Sequence, residues 1–240
     1  MTKIQDQFDP IIRESIVKKK QIAIIPVGSI EQHGAHLPIS TDTDIVTEVS
    51  KRLAEKNGYL LLPTISYGVS YEHAPYFQLS ISKSTLQKIL IDLCESLLKN
   101  NIKTVFIING HHGNQNAIKD IDVKLGKLSK NKLKVFPLSY WHFMKRDFDH
   151  AGFVETSLML AISKNVKMKF AQKGLITDSM SKQEVAKLGK LASKSFPKVT
   201  KNGVWGDPRD ATKSQGNRFL AEIIENLAKK CQTCLTGHSS

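Results

Sequence analysis

Cysteine is scarce in this chain: Cys94, Cys231 and Cys234 are the only three in 240 residues. Three thiols exclude a disulfide framework, and a chain of this length can bury a full core without one. Cys231 and Cys234 form a C-x-x-C, but no second pair accompanies them, so a zinc or redox site there lacks ligands. No apolar run approaches the roughly 20 residues that a membrane span needs. The opening segment MTKIQDQFDP carries no apolar stretch of the signal-peptide kind. These absences lead us to expect a cytoplasmic protein that does not enter membranes. Repeats and low-complexity linkers are also missing, which suits a single domain over 1–240.

Negative charge is in short supply too. The 22 Asp and Glu residues face 35 Lys and Arg, for a net charge of +13. That balance raises nucleic-acid binding as a function class. The lysines are scattered, however, over VKKK at 17–20, KLGKLSKNKLK at 124–134 and KMKFAQK at 167–173. They fall on the polar faces of amphipathic segments. Aromatic residues are few, at 7%, and do not interleave with them as a base-stacking platform requires. We therefore read the lysines as a solvated surface and do not expect nucleic acid as a partner. A basic nucleic-acid binder stays as the alternative from another class. It would need no metal, and its binding would be salt-sensitive.

What is present is an alternation of strand-like and helix-like segments. QIAIIPV (21–27), YLLLPTI (59–65), KTVFIIN (103–109) and KLKVFPL (132–138) read as buried strands. Helical spacing covers 44–57, 84–101, 116–131, 155–165 and about 213–230, the last opened by Thr212 and Gln215 in capping-box positions. Near-continuous apolar strands between helices predict an α/β protein: three layers, α/β/α, around a mostly parallel central sheet. Ligands of such sheets sit at the carboxyl ends of the strands.

Two of those ends carry unusual chemistry. The first strand runs into EQHGAHLPISTD (31–42), and the third into NGHHGNQN (109–116). A parallel sheet would open both loops on one edge. Glu31, His33, His36, Asp42 and His111 would then share a small region with Gly28, Gly34, Gly110 and Gly113 at the turns. Imidazoles mixed with carboxylates suit Zn²⁺, Mn²⁺ or Fe²⁺. Each residue alone has a plainer reading, Asp42 or Thr43 as a helix cap for instance. Together, carboxylates crowded without a cation are costly.

PVGSIEQHGAHLPISTDTDI, INGHHGNQNAI, HAGFVETSLML and GVWGDPRDAT resemble the signature blocks of the creatininase family, from about Ile24 to Gln215. The resemblance implies a metal-dependent amidohydrolase of α/β/α fold with two divalent metal ions (Zn, Mn or Fe), a small-molecule amide as substrate, and a homo-oligomer, often a hexamer. Carried over residue by residue, it implies that Asp42 bridges the two metals, that Glu31 and His111 complete one, that His33 serves the other, and that His150 is a proton shuttle beside the substrate. Creatininase has a glutamate ligand where this chain has Gly113. Glu155 is the candidate replacement, with a first-turn helix residue as its alternative reading. The family's Pro-Gly-Thr after the second strand is replaced here, and Arg146 stands where creatininase has a tryptophan over creatinine. These departures argue against creatinine as the substrate. Relatives with the NGHHGN form include an archaeal formylamino-pyrimidine nucleotide deformylase, which we place first, and a mycofactocin-type peptidase. His112 and Arg146 are the candidate substrate contacts. Arg146, with Lys145 and Arg209, could meet a phosphate.

Overall fold

The computed structural model describes residues 3–18, 21–147 and 149–237. Lys19 and Lys20 of the VKKK run lie outside the described residues. The strands are β1 (Ile22–Val27), β2 (Leu60–Leu61), β3 (Thr104–Asn109) and β4 (Lys134–Ser139). They form one sheet in the order β2-β1-β3-β4, with every pairing parallel. Val27 pairs with Asn109, and Asn109 with Ser139, so three strands end in line. Their following loops open on one edge, as the parallel reading requires.

The helices are α1 (Asp9–Lys18), α2 (Thr41–Asn57), α3 (Lys83–Lys99), α4 (Gln115–Ile118), α5 (Ile121–Leu128), α6 (Phe153–Ile162), α7 (Lys182–Ala192) and α8 (Lys213–Thr236). Successive strand residues point to opposite faces of the sheet. Ile24, Phe106 and Ile108 pack with α2, α6 and α8 on one side. Ala23, Ile25, Val105 and Ile107 pack with α3, α4 and α5 on the other. Each such buried aliphatic or aromatic side chain is worth roughly 1.5–3 kcal/mol against exposure. Cys94 joins the second core and Cys231 the first, and all three cysteines are free.

Several boundaries differ from the sequence expectation. The strand expected at 59–65 shortens to Leu60–Leu61. Pro63 has no N–H for the ladder, and pairing resumes only where the Ile65 amide donates to Pro26 O at 2.9 Å. The helix expected at 116–131 divides into α4 and α5. Thr212 caps α8 by accepting from the Gln215 amide at 3.2 Å, but the reciprocal capping box is at Ser181 and Glu184 of α7. Sequence periodicity identified neither α7 nor α1. Of the four site glycines, only Gly34 has a left-handed backbone, at φ 63°.

Candidate metal centre

The site grows from the three aligned strand ends. Asn109, the last residue of β3, donates to Ser139 Oγ at the end of β4. Its own Oδ1 accepts from the His111 amide at 3.1 Å and from Asn114 at 3.2 Å. Asn114 also donates to Gly28 O and accepts from the Val69 amide. Asn109 and Asn114 therefore tie together the loops that carry the charged residues.

Asp42 is in the first turn of α2, but its carboxylate does not cap that helix. Ser40 precedes α2 without a side-chain cap bond, and Asp42 turns inward between two imidazoles. His33 Nε2 lies 3.2 Å from Oδ1, and His111 Nδ1 lies 2.9 Å from Oδ2. Glu31 Oε2 is 3.2 Å from His111 Nε2. Glu155 Oε2 is 3.6 Å from His33 Nε2. Glu31, Asp42 and His111 thus form one compact group, and His33, Asp42 and Glu155 a second. Asp42 belongs to both of these, while Glu31, His33 and His150 make a third group. The two readings of Glu155 prove compatible: it sits in the first turn of α6, and its carboxylate closes the second group.

Backbone carbonyls orient both rings. His33 Nδ1 donates to Glu31 O at 3.0 Å, which turns Nε2 toward Asp42. His111 Nε2 donates to Val69 O at 2.9 Å, which turns Nδ1 toward Asp42. Orienting ligand imidazoles through the second nitrogen is the usual outer support of a metal site. Among the described residues, Glu155 Oε1 is buried without a hydrogen-bond partner. An orphaned buried polar atom costs about 1–3 kcal/mol. His33, Asp42 and Glu155 each bring a ligand atom within 4.8 Å of the others, a donor set that fits a divalent cation.

The electrostatics agree. Burial opposes charge on His33, yet Asp42 and Glu155 outweigh it and hold its pKa up at about 10. His111 also rises to about 10, against burial, through Glu31 and Asp42. Burial and the neighbouring charge of Asp42 push Glu155 upward.

Above these groups opens a cavity of about 680 Å³, lined by Glu31, Asp42, His111, His150 and Glu155 among others. Lys190 and Ala186 of α7 form part of its wall. His150 faces in, with Nδ1 3.9 Å from Glu31 Oε1 and its ring 4.3 Å from that of His33. Burial, then His33 and His73, drive its pKa well below the ordinary histidine value. His150 is held by paired backbone bonds with Trp205. Neighbouring Asp149 accepts from the amides of Val154 and Glu155, which anchors the start of α6.

Other expectations resolve differently. His112 lines the cavity and stacks on Trp141. Arg146 does not line it: its guanidinium sits 4.4 Å over the Phe153 ring. Arg209 is held by both oxygens of Asp207. His36 bonds Thr156 at 2.9 Å and belongs to none of the three candidate ligand groups.

Three residues escaped the sequence reading. His73 Nε2 lies 3.0 Å from Glu31 Oε1. Glu72 Oε1 lies 3.7 Å from His111 Nε2 and occupies the space beside Gly113, where an added Cβ would stand 2.5 Å away. Gln32 reaches both His73 and His150. The signal available was position: EHAPYF follows the edge strand onto the same carboxyl side of the sheet.

Comparison with known proteins agrees over most of the chain. A family model described as creatinine amidohydrolase, Creatininase, matches residues 9–231. The mycofactocin precursor peptide peptidase of Mycobacterium ulcerans is 32% identical over 222 residues, 86% of this chain and 83% of that protein. The 2-amino-5-formylamino-6-ribosylaminopyrimidin-4(3H)-one 5'-monophosphate deformylase of Methanocaldococcus infernus is 28% identical over 222 residues, 89% of this chain and 91% of that protein. Solved creatininase structures, one a mutant of zinc–zinc type and one named for manganese, share the fold with TM-scores of 0.81 and 0.80. They are 23% and 22% identical and cover 95% of this chain and 96% of theirs. The chain belongs to the creatininase family.

Proposed function

We propose that this creatininase-family amidohydrolase holds two divalent cations and cleaves a peptide-type amide bond near the end of a short peptide. The observation that carries the reading is the pair of buried ligand groups sharing Asp42 beside an open cavity. Glu31, Asp42 and His111 would hold one cation, and His33, Asp42 and Glu155 the other. When bound, such a pair supplies Lewis acidity and lowers the pKa of water.

The chain's own residues do the rest. Asp42 orients both groups. Phe196 packs tilted on His73 and edge-on to His150, with ring centroids 4.7 Å apart in both pairs, and covers one side of them. His150 holds a proton at the cavity face for the reacting amide. Lys83 and Lys190 on the cavity wall suit an anionic end, such as a peptide's terminal carboxylate.

A peptide-type substrate now stands ahead of the formylated nucleotide that the motif form first suggested. The peptidase relative is more identical at similar coverage, and two of the three cationic side chains expected to meet a phosphate are engaged elsewhere: Arg146 on Phe153, Arg209 on Asp207. The deformylase remains the second reading, because Lys83 and Lys190 could equally take a phosphate.

Metal analysis with a hydrolysis screen tests the proposal. We expect up to two transition-metal ions per chain, cleavage of short peptides or peptide amides, and loss of cleavage on chelation. Turnover of a formylaminopyrimidine nucleotide alone would favour the second reading. Purified protein that takes up no metal would refute both.

A further inference from the structure

The turn that leads into α6 carries His150 and Glu155, and it is built around a carboxylate that the proposed chemistry does not use. Gly152 stands at the cap position of α6 and has no side chain to offer the free amides of the first turn. Asp149, three residues earlier, supplies the acceptors instead. Its Oδ2 accepts from the Val154 amide at 2.8 Å, and its Oδ1 from the Glu155 amide at 3.2 Å. Glu155 bonds back into the turn: its Oε2 accepts from the Ala151 amide at 2.6 Å.

The backbone is bent to allow this exchange. Ala151 is fully buried and left-handed, at φ 51°, a conformation that alanine adopts only against steric cost. Two glycines make room for the Asp149 carboxylate. An added Cβ would lie 2.3 Å from its Oδ2 at Gly152 and 3.3 Å from the same atom at Gly206. His150 is tied down separately, since its amide donates to Trp205 O at 3.0 Å and its carbonyl accepts from the Trp205 amide at 2.8 Å.

We infer that Asp149 is a positioning residue that acts through Glu155: by pinning the first amides of α6 it fixes the turn whose Ala151 amide holds one oxygen of Glu155. Oε2 is thereby engaged, and Oε1 is the buried oxygen left without a partner. A carboxylate bonded at one oxygen is a ligand of fixed direction. Ligands of a metal are commonly held by such outer hydrogen bonds, and losing one typically weakens metal binding 10–100-fold. The consequence for metal rests on the two-cation reading; the chain of bonds does not.

Hydrogen exchange on the metal-free protein tests the chain of bonds. Asp149→Asn keeps the shape but turns one acceptor into a donor. The Ala151 amide donates to Glu155 and not to Asp149, so its exchange reports on the Glu155 carboxylate. We expect it to speed up at least 10-fold in Asp149→Asn, with the β3 amides unchanged. Glu155→Ala should free the Ala151 amide while the amides of residues 154 and 155 stay protected. Zinc titration tests the consequence. Asp149→Asn should bind zinc 10–100-fold more weakly at the Glu155 group and keep the position formed by Glu31, Asp42 and His111. A residue that merely capped α6 would lower Tm and leave zinc binding at both positions unchanged, and that result overturns the inference. So does an Ala151 amide as protected in Asp149→Asn as in wild type. Should Asp149→Asn not fold, Glu155→Ala decides: loss of protection at all three amides would show that Glu155 holds Asp149 and not the reverse. A wild type that takes up no zinc would refute the two-cation reading, and the exchange result alone would then settle the role of Asp149.

Discussion

At the residue scale, the distinction that matters is between groups that would hold a cation and groups that hold those groups. Asp42 is the sharpest case. Asp42→Asn preserves shape but removes the charge common to both groups, so both metals should be lost, as measured by metal analysis after dialysis. Full occupancy in that variant would contradict a bridging role. Glu155 belongs to one group only. Glu155→Gln should halve the stoichiometry and spare the Glu31, Asp42 and His111 position. His150 belongs to the chemistry. His150→Ala should retain metal and lose about 10²–10⁴-fold in kcat, the usual range for removing a side chain that moves a proton in the reaction. Normal turnover with metals retained would remove His150 from the reaction.

Among the elements, the contact of α6 with α8 determines where Glu155 sits. Gly216 near the start of α8 makes that contact possible, since an added Cβ would lie 1.8 Å from Ser157 O. Gly216→Ala must push the helices apart. Overpacking of this kind costs typically 1–3 kcal/mol. We expect a lower Tm together with weakened metal binding at the Glu155 group, because Glu155 lies two residues before Ser157 on α6. A variant as stable as wild type, with full metal content, would show that α8 shifts without moving α6.

For the whole molecule, the proposed metal centre would couple metal, protons and stability. His33 and His111 have pKa values of about 10 in the metal-free protein, so both are charged at pH 7. Their folded pKa values lie above the unfolded value near 6.5. The stabilisation they give the metal-free fold is therefore complete below 6.5 and is lost as pH rises through about 10. Metal binding has the opposite slope, because it must displace the same protons. Loading at pH 7 should release about two protons, read by calorimetry in buffers of different ionisation enthalpy. No proton release would mean that the imidazoles are not ligands. Saturating metal at 100 times Kd adds about 2.7 kcal/mol per site, so chelation should lower Tm by roughly 5–10 °C per site.

The residue sequence determined the main strands, most of the helices and the ligand types. Apolar runs at β1, β3 and β4 specify buried parallel strands by hydrophobicity alone, and Glu31, His33, Asp42 and His111 advertise themselves by crowding two strand-end loops. The tertiary structure decided what depends on distant pairs. Pro63 limits β2 only because its neighbour in space is β1. Arg146 leaves the cavity because Phe153 offers its ring face. His73 looks like any loop histidine until the fold brings it to Glu31, 42 residues earlier, and Gln32 looks like motif filler until two rings close on its amide. Local patterns follow from each residue's own hydrophobicity and backbone preference. Which carboxylate meets which imidazole follows from strand register and helix packing, which only the folded chain settles.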